Sequence, residues 1–126
     1  ILNHRENIIK VYDEIFKNNE NIKVLEHYND KKHSSGHLYL VRILGKSEEE
    51  RNEIIIKMAE LGIATNVHYK PLPMFTLYKN LGYKIEDYPN AFAQYENEIS
   101  LPVYSTLSLE DAEYIAKTLL EELKKY

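Results

Sequence analysis

The sequence contains no cysteine. Disulfide bonds and thiolate metal sites are therefore excluded, which is compatible with a reducing compartment, and we expect a cytoplasmic location. Long apolar runs are also missing. The longest, residues 38–41 and 54–56, are far shorter than the roughly 20 residues of a membrane-spanning helix, so we predict no membrane span. The chain opens at Ile1 rather than at a methionine, and we expect its natural N-terminus to lie upstream.

Positive charge and glycine-rich loops are scarce as well. The formal net charge is -4, and the lysines are interspersed with acidic residues, so the chain lacks the basic stripe that binds a phosphate backbone, and we predict no nucleic-acid partner. The four glycines stand far apart and form no G-x-G-x-x-G or Walker-type loop. We therefore expect no nucleotide site formed by this chain alone.

What remains is the composition of a folded soluble domain. Apolar residues make up 44% of the 126 residues and charged residues 29%, which is typical of globular proteins and too apolar for a disordered one. A chain of this length fits one domain, so we predict a single domain over residues 1–126 without an internal linker.

Hydrophobic periodicity and end signals predict the elements. We predict helices over about 5–16, from Ser47 to Gly62, over 75–81, from Pro89 through Ile99, and from Ser108 onward. We predict strands over 22–26, 37–44 and 63–69. A loop is expected over 29–36 and a short extended piece over 101–103. Ser47 and Glu50 form a capping box, and Gly62 supplies the left-handed residue that ends the helix. The order of elements predicts an α+β fold with a small, mostly antiparallel sheet and helices packed on one face.

Two overlapping sets of polar residues could be sites of chemistry, a pair of histidines and a pair of serines. His33 and His37 are four residues apart, but Ser34, Ser35 and Gly36 between them break a helix, so a shared helical metal-binding face is not available, and we predict no metal site. The same serines lack the G-x-S-x-G turn of a nucleophile elbow. We interpret them as turn residues.

Polar and aromatic residues crowd the end of the predicted strand 63–69, just before Pro71. Strand alternation places Asn66 and His68 on one face and Tyr69 on the other. His68 can donate or accept a hydrogen bond, and Tyr69 offers a ring and a hydroxyl, so the pair could hold a polar substrate. The sequence pattern alone leaves a purely structural role for both residues equally open.

A series of motifs in a fixed order covers nearly the whole chain. They are residues 62–72 (GIATNVHYKPL), 78–83 (YKNLGY), 87–91 (DYPNA), 98–104 (EISLPVY) and 107–111 (LSLED), with 37–42 (HLYLVR) and 47–51 (SEEER) upstream. In order and spacing the sequence resembles the C-terminal small domain of the DegT/StrS family of nucleotide-sugar aminotransferases, which are fold type I enzymes that use pyridoxal phosphate.

This resemblance implies a homodimeric enzyme that transfers an amino group from glutamate to a keto group of a nucleotide-linked sugar in polysaccharide or deoxysugar biosynthesis. It implies that the large cofactor-binding domain is absent from this chain, so we expect no catalytic and no cofactor-binding residue here and no pyridoxal phosphate bound to this fragment. His68, Tyr69 and Asn66 match the part of the small domain that lines the sugar-nucleotide pocket. The alternative is a non-catalytic small-molecule-binding or regulatory α+β module.

Overall fold

The structure, a computed structural model, describes residues 2–126. Its helices are α1 (Leu2–Phe16), α2 (Glu48–Glu60), α3 (Thr76–Asn80), α4 (Pro89–Tyr95) and α5 (Leu109–Leu123), with short 3-10 turns at Leu72–Met74 and Ile85–Asp87. Its strands are β1 (Ile22–Val24), β2 (Tyr28–Asn29), β3 (Lys32–His33), β4 (Tyr39–Ile43) and β5 (Glu98–Leu101).

The main sheet is antiparallel, with β4 between β1 and β5. Val41 pairs with Val24 on one side and with Ile99 on the other. Tyr39, Val41 and Ile43 are buried, and the same apolar core contains buried side chains of α1, α2 and α5. The helices therefore cover one face of the sheet, which confirms the predicted α+β class.

The predicted strand over 63–69 is wrong. Asn66 makes a single antiparallel bridge to Ser100, and the ladder goes no further among the described residues. The amide of Val67 instead bonds to the side-chain oxygen of Asn66, and the amide of His68 bonds to Oε1 of Glu98. Side-chain acceptors compete with the ladder for these backbone donors, so the segment is extended without becoming a strand.

Two further boundaries differ from the prediction. Ile99, which the sequence placed on the helix from Pro89, lies in β5, because α4 ends at Tyr95 and residues 98–101 pair with β4. The predicted loop over 29–36 contains part of a two-stranded hairpin, β2 with β3. Both errors arise because the apolar and polar runs are too short to distinguish helical from strand periodicity.

The ends of α2 are as predicted. The Ser47 hydroxyl accepts from the amide of Glu50 at 3.2 Å, and the Glu50 carboxylate accepts from the amide of Ser47 at the same distance. Gly62 follows the helix with φ +82°, a left-handed conformation that costs a non-glycine residue strain. The helix is thus fixed at both ends by signals visible in the sequence.

Replacing Ser47 with alanine should lower the free energy of unfolding by about 1 kcal/mol, because the first turn of α2 loses a side-chain acceptor. Ser35→Ala, at an exposed turn residue, is the control and should change it by less than about 0.5 kcal/mol. Chemical denaturation followed by circular dichroism measures both. Equal effects of the two substitutions would contradict the capping role.

A cluster of aromatic rings fills the core between α1 and β4. Tyr39 lies 4.9 Å from Tyr12 between ring centroids and stacks on His27 at 5.3 Å. The Tyr39 hydroxyl donates to Asp13 at 2.7 Å, and the Tyr12 hydroxyl donates to the carbonyl of Pro102 at 2.7 Å. Both hydroxyls are therefore paired within the interior, as buried polar groups require.

His27 makes the stability of this cluster depend on pH. Burial lowers the pKa of His27 below its usual value of 6.5, with Lys32 lowering it further and Asp13 opposing the shift. The unfolded chain then binds a proton more readily than the folded chain below pH 6.5. The contribution of neutral His27 to the free energy of unfolding is fully present above pH 6.5 and is lost as the pH falls below that value.

The measurement is the denaturation midpoint between about pH 5 and pH 7, the range in which histidine titrates. We expect His27→Phe, which retains a ring against Tyr39, to flatten the pH dependence, and His37→Phe, at an exposed position, to leave it unchanged. A wild-type midpoint that stays constant over this range would contradict the account.

Candidate functional site

The segment containing Asn66, His68 and Tyr69 lies against β5. Its contact with the strand is a reciprocal pair of backbone bonds between Asn66 and Ser100, at 2.8 and 3.3 Å. Ser100 is buried and belongs to the centre of a paired strand. Backbone pairing therefore anchors the segment on a rigid element at Asn66, and the chain reaches Pro71 five residues later.

His68 is held from two sides. Its ring Nδ1 lies 2.8 Å from the hydroxyl of Ser100, and its backbone amide donates to Oε1 of Glu98 at 3.3 Å. The ring is half-buried. Its Nε2 has no hydrogen-bond partner among the described residues, and it is not one of the polar atoms that the protein closes off from solvent. One edge of the imidazole is thus fixed by the protein and the other edge is open to a ligand.

Tyr69 stands beside this ring and is 74% exposed. The two ring centroids are 4.8 Å apart in an edge-on arrangement, and the peptide bond between the residues is cis. The predicted alternation, with His68 and Tyr69 on opposite faces, is therefore wrong, because the segment is not a regular strand. The structure brings these two predicted residues together at the surface.

Asn66 is exposed, and its side-chain oxygen turns back to the amide of Val67 at 2.8 Å. Its role in the structure is to shape the backbone before His68. The side-chain amide nitrogen has no partner among the described residues. A direct role of Asn66 in substrate binding stays a prediction, as it does for His68 and Tyr69.

We call the surface formed by His68 and Tyr69 the corner. An apolar cleft of about 420 Å³ begins at Pro71, two residues after it. Its lining combines prolines, tyrosines and aliphatic residues, namely Pro71, Leu72, Pro73, Tyr78, Tyr83, Tyr88 and Ala91. The sequence does not predict this cleft, because residues 75–91 have the pattern of two separate short helices. The five-residue spacing of Tyr78, Tyr83 and Tyr88 was the available signal, but it matches neither helix nor strand periodicity.

A buried arginine supports the strand beneath His68. Arg51 on α2 is 1% exposed, and its guanidinium donates to the carbonyls of Tyr95 at 2.6 Å and Glu98 at 3.0 Å. It also lies 4.6 Å from the Tyr95 ring centroid. Arg51 therefore fixes the start of β5 and with it Glu98, whose carboxylate accepts the His68 amide. Arg51 precedes Ile54 and Ile55 by three and four residues and so lies on the same helix face as they do, which was the available sequence signal for its burial.

No lysine among the described residues sits in a pocket suited to amine catalysis. Every lysine is exposed except Lys46, which is half-buried beside the Glu50 carboxylate and the Tyr126 ring. Lys70, next to the corner, is exposed, with its nitrogen 5.5 Å from the Phe75 ring centroid. Catalytic lysines are activated by desolvation in a pocket, and no described lysine is buried.

Two other kinds of feature would indicate function within residues 2–126. Clusters of three or more histidine, aspartate or glutamate side chains that could hold a metal ion are not found there. None of the described helices has the length and hydropathy needed to cross a membrane. The corner of His68 and Tyr69 with the adjoining apolar cleft is therefore the candidate site.

The chain is similar in sequence to known aminotransferases. A family model described as the DegT/DnrJ/EryC1/StrS aminotransferase family matches residues 1–120. A UDP-4-amino-4,6-dideoxy-N-acetyl-beta-L-altrosamine transaminase from Campylobacter jejuni is 33% identical over 124 residues, which is 98% of this chain and 32% of that protein.

Solved structures agree with the sequence match. The putative sugar aminotransferase Spr1654 from Streptococcus pneumoniae, in its PMP-form, superposes with a TM-score of 0.94 at 47% identity, covering 98% of this chain and 31% of that one. Helicobacter pylori PseC, an aminotransferase involved in the biosynthesis of pseudoaminic acid, gives a TM-score of 0.85 at 30% identity, covering 99% and 33%. The chain thus spans about a third of the length of the proteins it matches.

Proposed function

Because the chain belongs to the DegT/DnrJ/EryC1/StrS aminotransferase family, we propose that residues 1–126 are the C-terminal small domain of a longer aminotransferase. The large domain of that polypeptide would bind pyridoxal phosphate and supply the catalytic lysine. Two observations support this division. The matched relatives are about three times as long as this chain, and the described lysines are surface residues.

The reaction of the parent enzyme is the transfer of an amino group from glutamate to a keto carbon of a nucleotide-linked sugar. Pyridoxal phosphate, when bound, carries that amino group between donor and acceptor. The names of the relatives support a sugar nucleotide as the acceptor. No step of the chemistry is assigned to the residues of this chain. Synthesis of cell-surface polysaccharides or deoxysugars in the cytoplasm is the setting we propose.

The role of this domain is to supply one wall of the substrate pocket. The observation that carries this role is the corner itself, where a fixed imidazole and a 74% exposed tyrosine ring face outward from a rigid strand. His68 would bind a polar group of the substrate, Tyr69 would cover a sugar face or donate its hydroxyl, and Asn66 would hold the backbone that presents them. Binding and orienting the substrate are the contributions of this wall.

The exposed apolar residues after the corner support an association with other parts of the enzyme. Leu72, Leu77 and Leu81 are each more than half exposed. Large exposed apolar patches mark interaction sites in soluble proteins, and exposed leucines are the residues that form them. We assign it to the large domain and to the second subunit of a homodimer.

The test is expression of the complete reading frame that contains this sequence, alongside the 126-residue chain. The longer protein should aminate a nucleoside-diphosphate keto-sugar with glutamate as donor. The short chain should show no transaminase activity and no stoichiometric pyridoxal phosphate trapped on a lysine by borohydride reduction. A complete frame that begins near Ile1 and binds small molecules without turnover would favour the non-catalytic module instead.

A further inference from the structure

The bond between Ser100 and His68 carries information about the proton on the imidazole. Ser100 is buried at 5% exposure, and its hydroxyl lies 2.8 Å from Nδ1 of His68. Among the described residues the hydroxyl has no other partner. Its hydrogen therefore has one available acceptor, the lone pair of Nδ1.

The opposite arrangement leaves a buried donor unpaired. If Nδ1 carried the proton and donated to Ser100, the hydroxyl hydrogen would have no acceptor in a position that is almost closed to water. Buried donors without partners are rare, because the lost hydration is not replaced. The neutral imidazole has one donor and one acceptor nitrogen, so assigning Nδ1 as the acceptor assigns the proton to Nε2.

We infer that Ser100 is a positioning residue that sets the tautomer of His68, so that the open edge of the ring presents an Nε2–H donor to the substrate. This inference rests on the proposed role of the corner as a substrate wall. The group recognised at that edge is then an oxygen acceptor, either a diphosphate oxygen or a hydroxyl or keto oxygen of the sugar. A ligand group that can only donate a hydrogen bond would be rejected there.

Glu98 and Arg51 complete the support for this arrangement. Glu98 accepts the His68 amide through Oε1 and the side-chain amide of Gln94 through Oε2 at 2.9 Å. Its backbone carbonyl accepts from Arg51. The ring is consequently held through its backbone and through Nδ1, which leaves Nε2 as the free polar atom. Shells of this kind orient the group that touches the substrate.

Steady-state kinetics of the parent enzyme test the inference and distinguish a diphosphate oxygen from a sugar oxygen as the group bound. Ser100→Ala should raise the KM for the nucleotide sugar about fivefold with little change in kcat, and Ser100→Thr, which keeps a hydroxyl, should restore it. An equal rise in the inhibition constant of UDP would place the acceptor on the diphosphate, whereas an unchanged constant would place it on the sugar. No change in KM would overturn the inference.

The direct test needs no substrate and uses the 126-residue chain, with ¹⁵N-labelled histidine observed by long-range proton–nitrogen correlation above the titration range. We expect Nε2 of His68 to be protonated and Nδ1 to be bare, with the minor tautomer undetectable. In Ser100→Ala the minor tautomer should rise to the level seen for exposed His37 in the same spectrum, and Ser100→Thr should suppress it again. A proton on Nδ1 in the wild type, or spectra unaffected by Ser100→Ala, would overturn the inference. Absence of sugar amination in the parent would remove the proposed function and leave the tautomer result intact.

Discussion

Replacement of Arg51 with alanine is expected to lower the free energy of unfolding by about 3 kcal/mol, since each hydrogen bond from a charged donor contributes about 1.5 kcal/mol or more and its loss strands a buried acceptor. The carbonyls of Tyr95 and Glu98 would both lose the guanidinium that they share. The ring of Tyr95 would lose the cation that lies 4.6 Å from its centroid. This is a large effect for one charged side chain, and it arises because Arg51 is buried with Ile54 and Met58 on the inner face of α2.

Two further variants make this result interpretable. Lys57→Ala removes an exposed cation on the same helix, paired with Glu60 at 3.4 Å, and should cost less than about 0.5 kcal/mol. Arg51→Lys keeps the charge but lacks the planar fork that reaches two carbonyls, so an intermediate loss is expected. Urea denaturation measures all three. A loss for Arg51→Ala no larger than that for Lys57→Ala would show that the guanidinium does not hold the start of β5.

Tyr39→Ala is expected to be the most destabilising single substitution considered, at about 4 kcal/mol. Tyr39 is fully buried at the centre of the sheet, packs against Tyr12, Phe16 and His27, and donates its hydroxyl to Asp13. Burial and the Asp13 carboxylate raise the pKa of Tyr39, so the ring stays a neutral donor. Truncation leaves a cavity that rigid neighbours cannot fill.

Matched tyrosine variants separate packing from hydrogen bonding. Tyr39→Phe keeps the ring and should cost only about 1 kcal/mol, the contribution of one hydrogen bond. Tyr114→Ala removes a ring that is 53% exposed on α5 and should cost less than about 0.5 kcal/mol. If Tyr39→Phe were as damaging as Tyr39→Ala, the hydroxyl bond to Asp13 rather than ring packing would be responsible. If Tyr39→Ala matched Tyr114→Ala, the aromatic cluster would not form the core.

Strong local signals predicted the parts of this fold that depend on nearby residues. The capping box at Ser47 and the left-handed Gly62 each require only a few consecutive positions, and both are present. The antiparallel sheet and its covering helices followed from the order of elements. Here local preference and tertiary packing agree, which is the condition under which sequence reasoning succeeds.

The errors concern residues whose conformation is decided by distant partners. Residues 63–69 have the composition of a strand, but Asn66 and Glu98 side chains take the backbone donors that a ladder would use. Ile99 has the spacing of a helical residue, yet pairing with Val41 places it in β5.

The candidate site was only partly accessible to sequence reasoning. Asn66, His68 and Tyr69 were singled out by their position before Pro71 and by a family resemblance, and the structure places the rings of His68 and Tyr69 side by side at the surface. The support from Ser100, Glu98 and Arg51 could not be predicted, because these contacts join residues 30 or more positions apart. Such pairings leave no periodic signal.

Steady-state kinetics of the His68→Ala, Tyr69→Ala double variant in the parent enzyme tests most directly whether this domain binds substrate while catalysis resides elsewhere. We predict a rise of at least about tenfold in the KM for the nucleotide sugar, with kcat, cofactor content and the KM for glutamate changed less than about twofold. His37→Ala, at an exposed histidine on the same domain, should change none of these. An unaltered KM for the sugar, or a collapse of kcat at unchanged KM, would contradict the account.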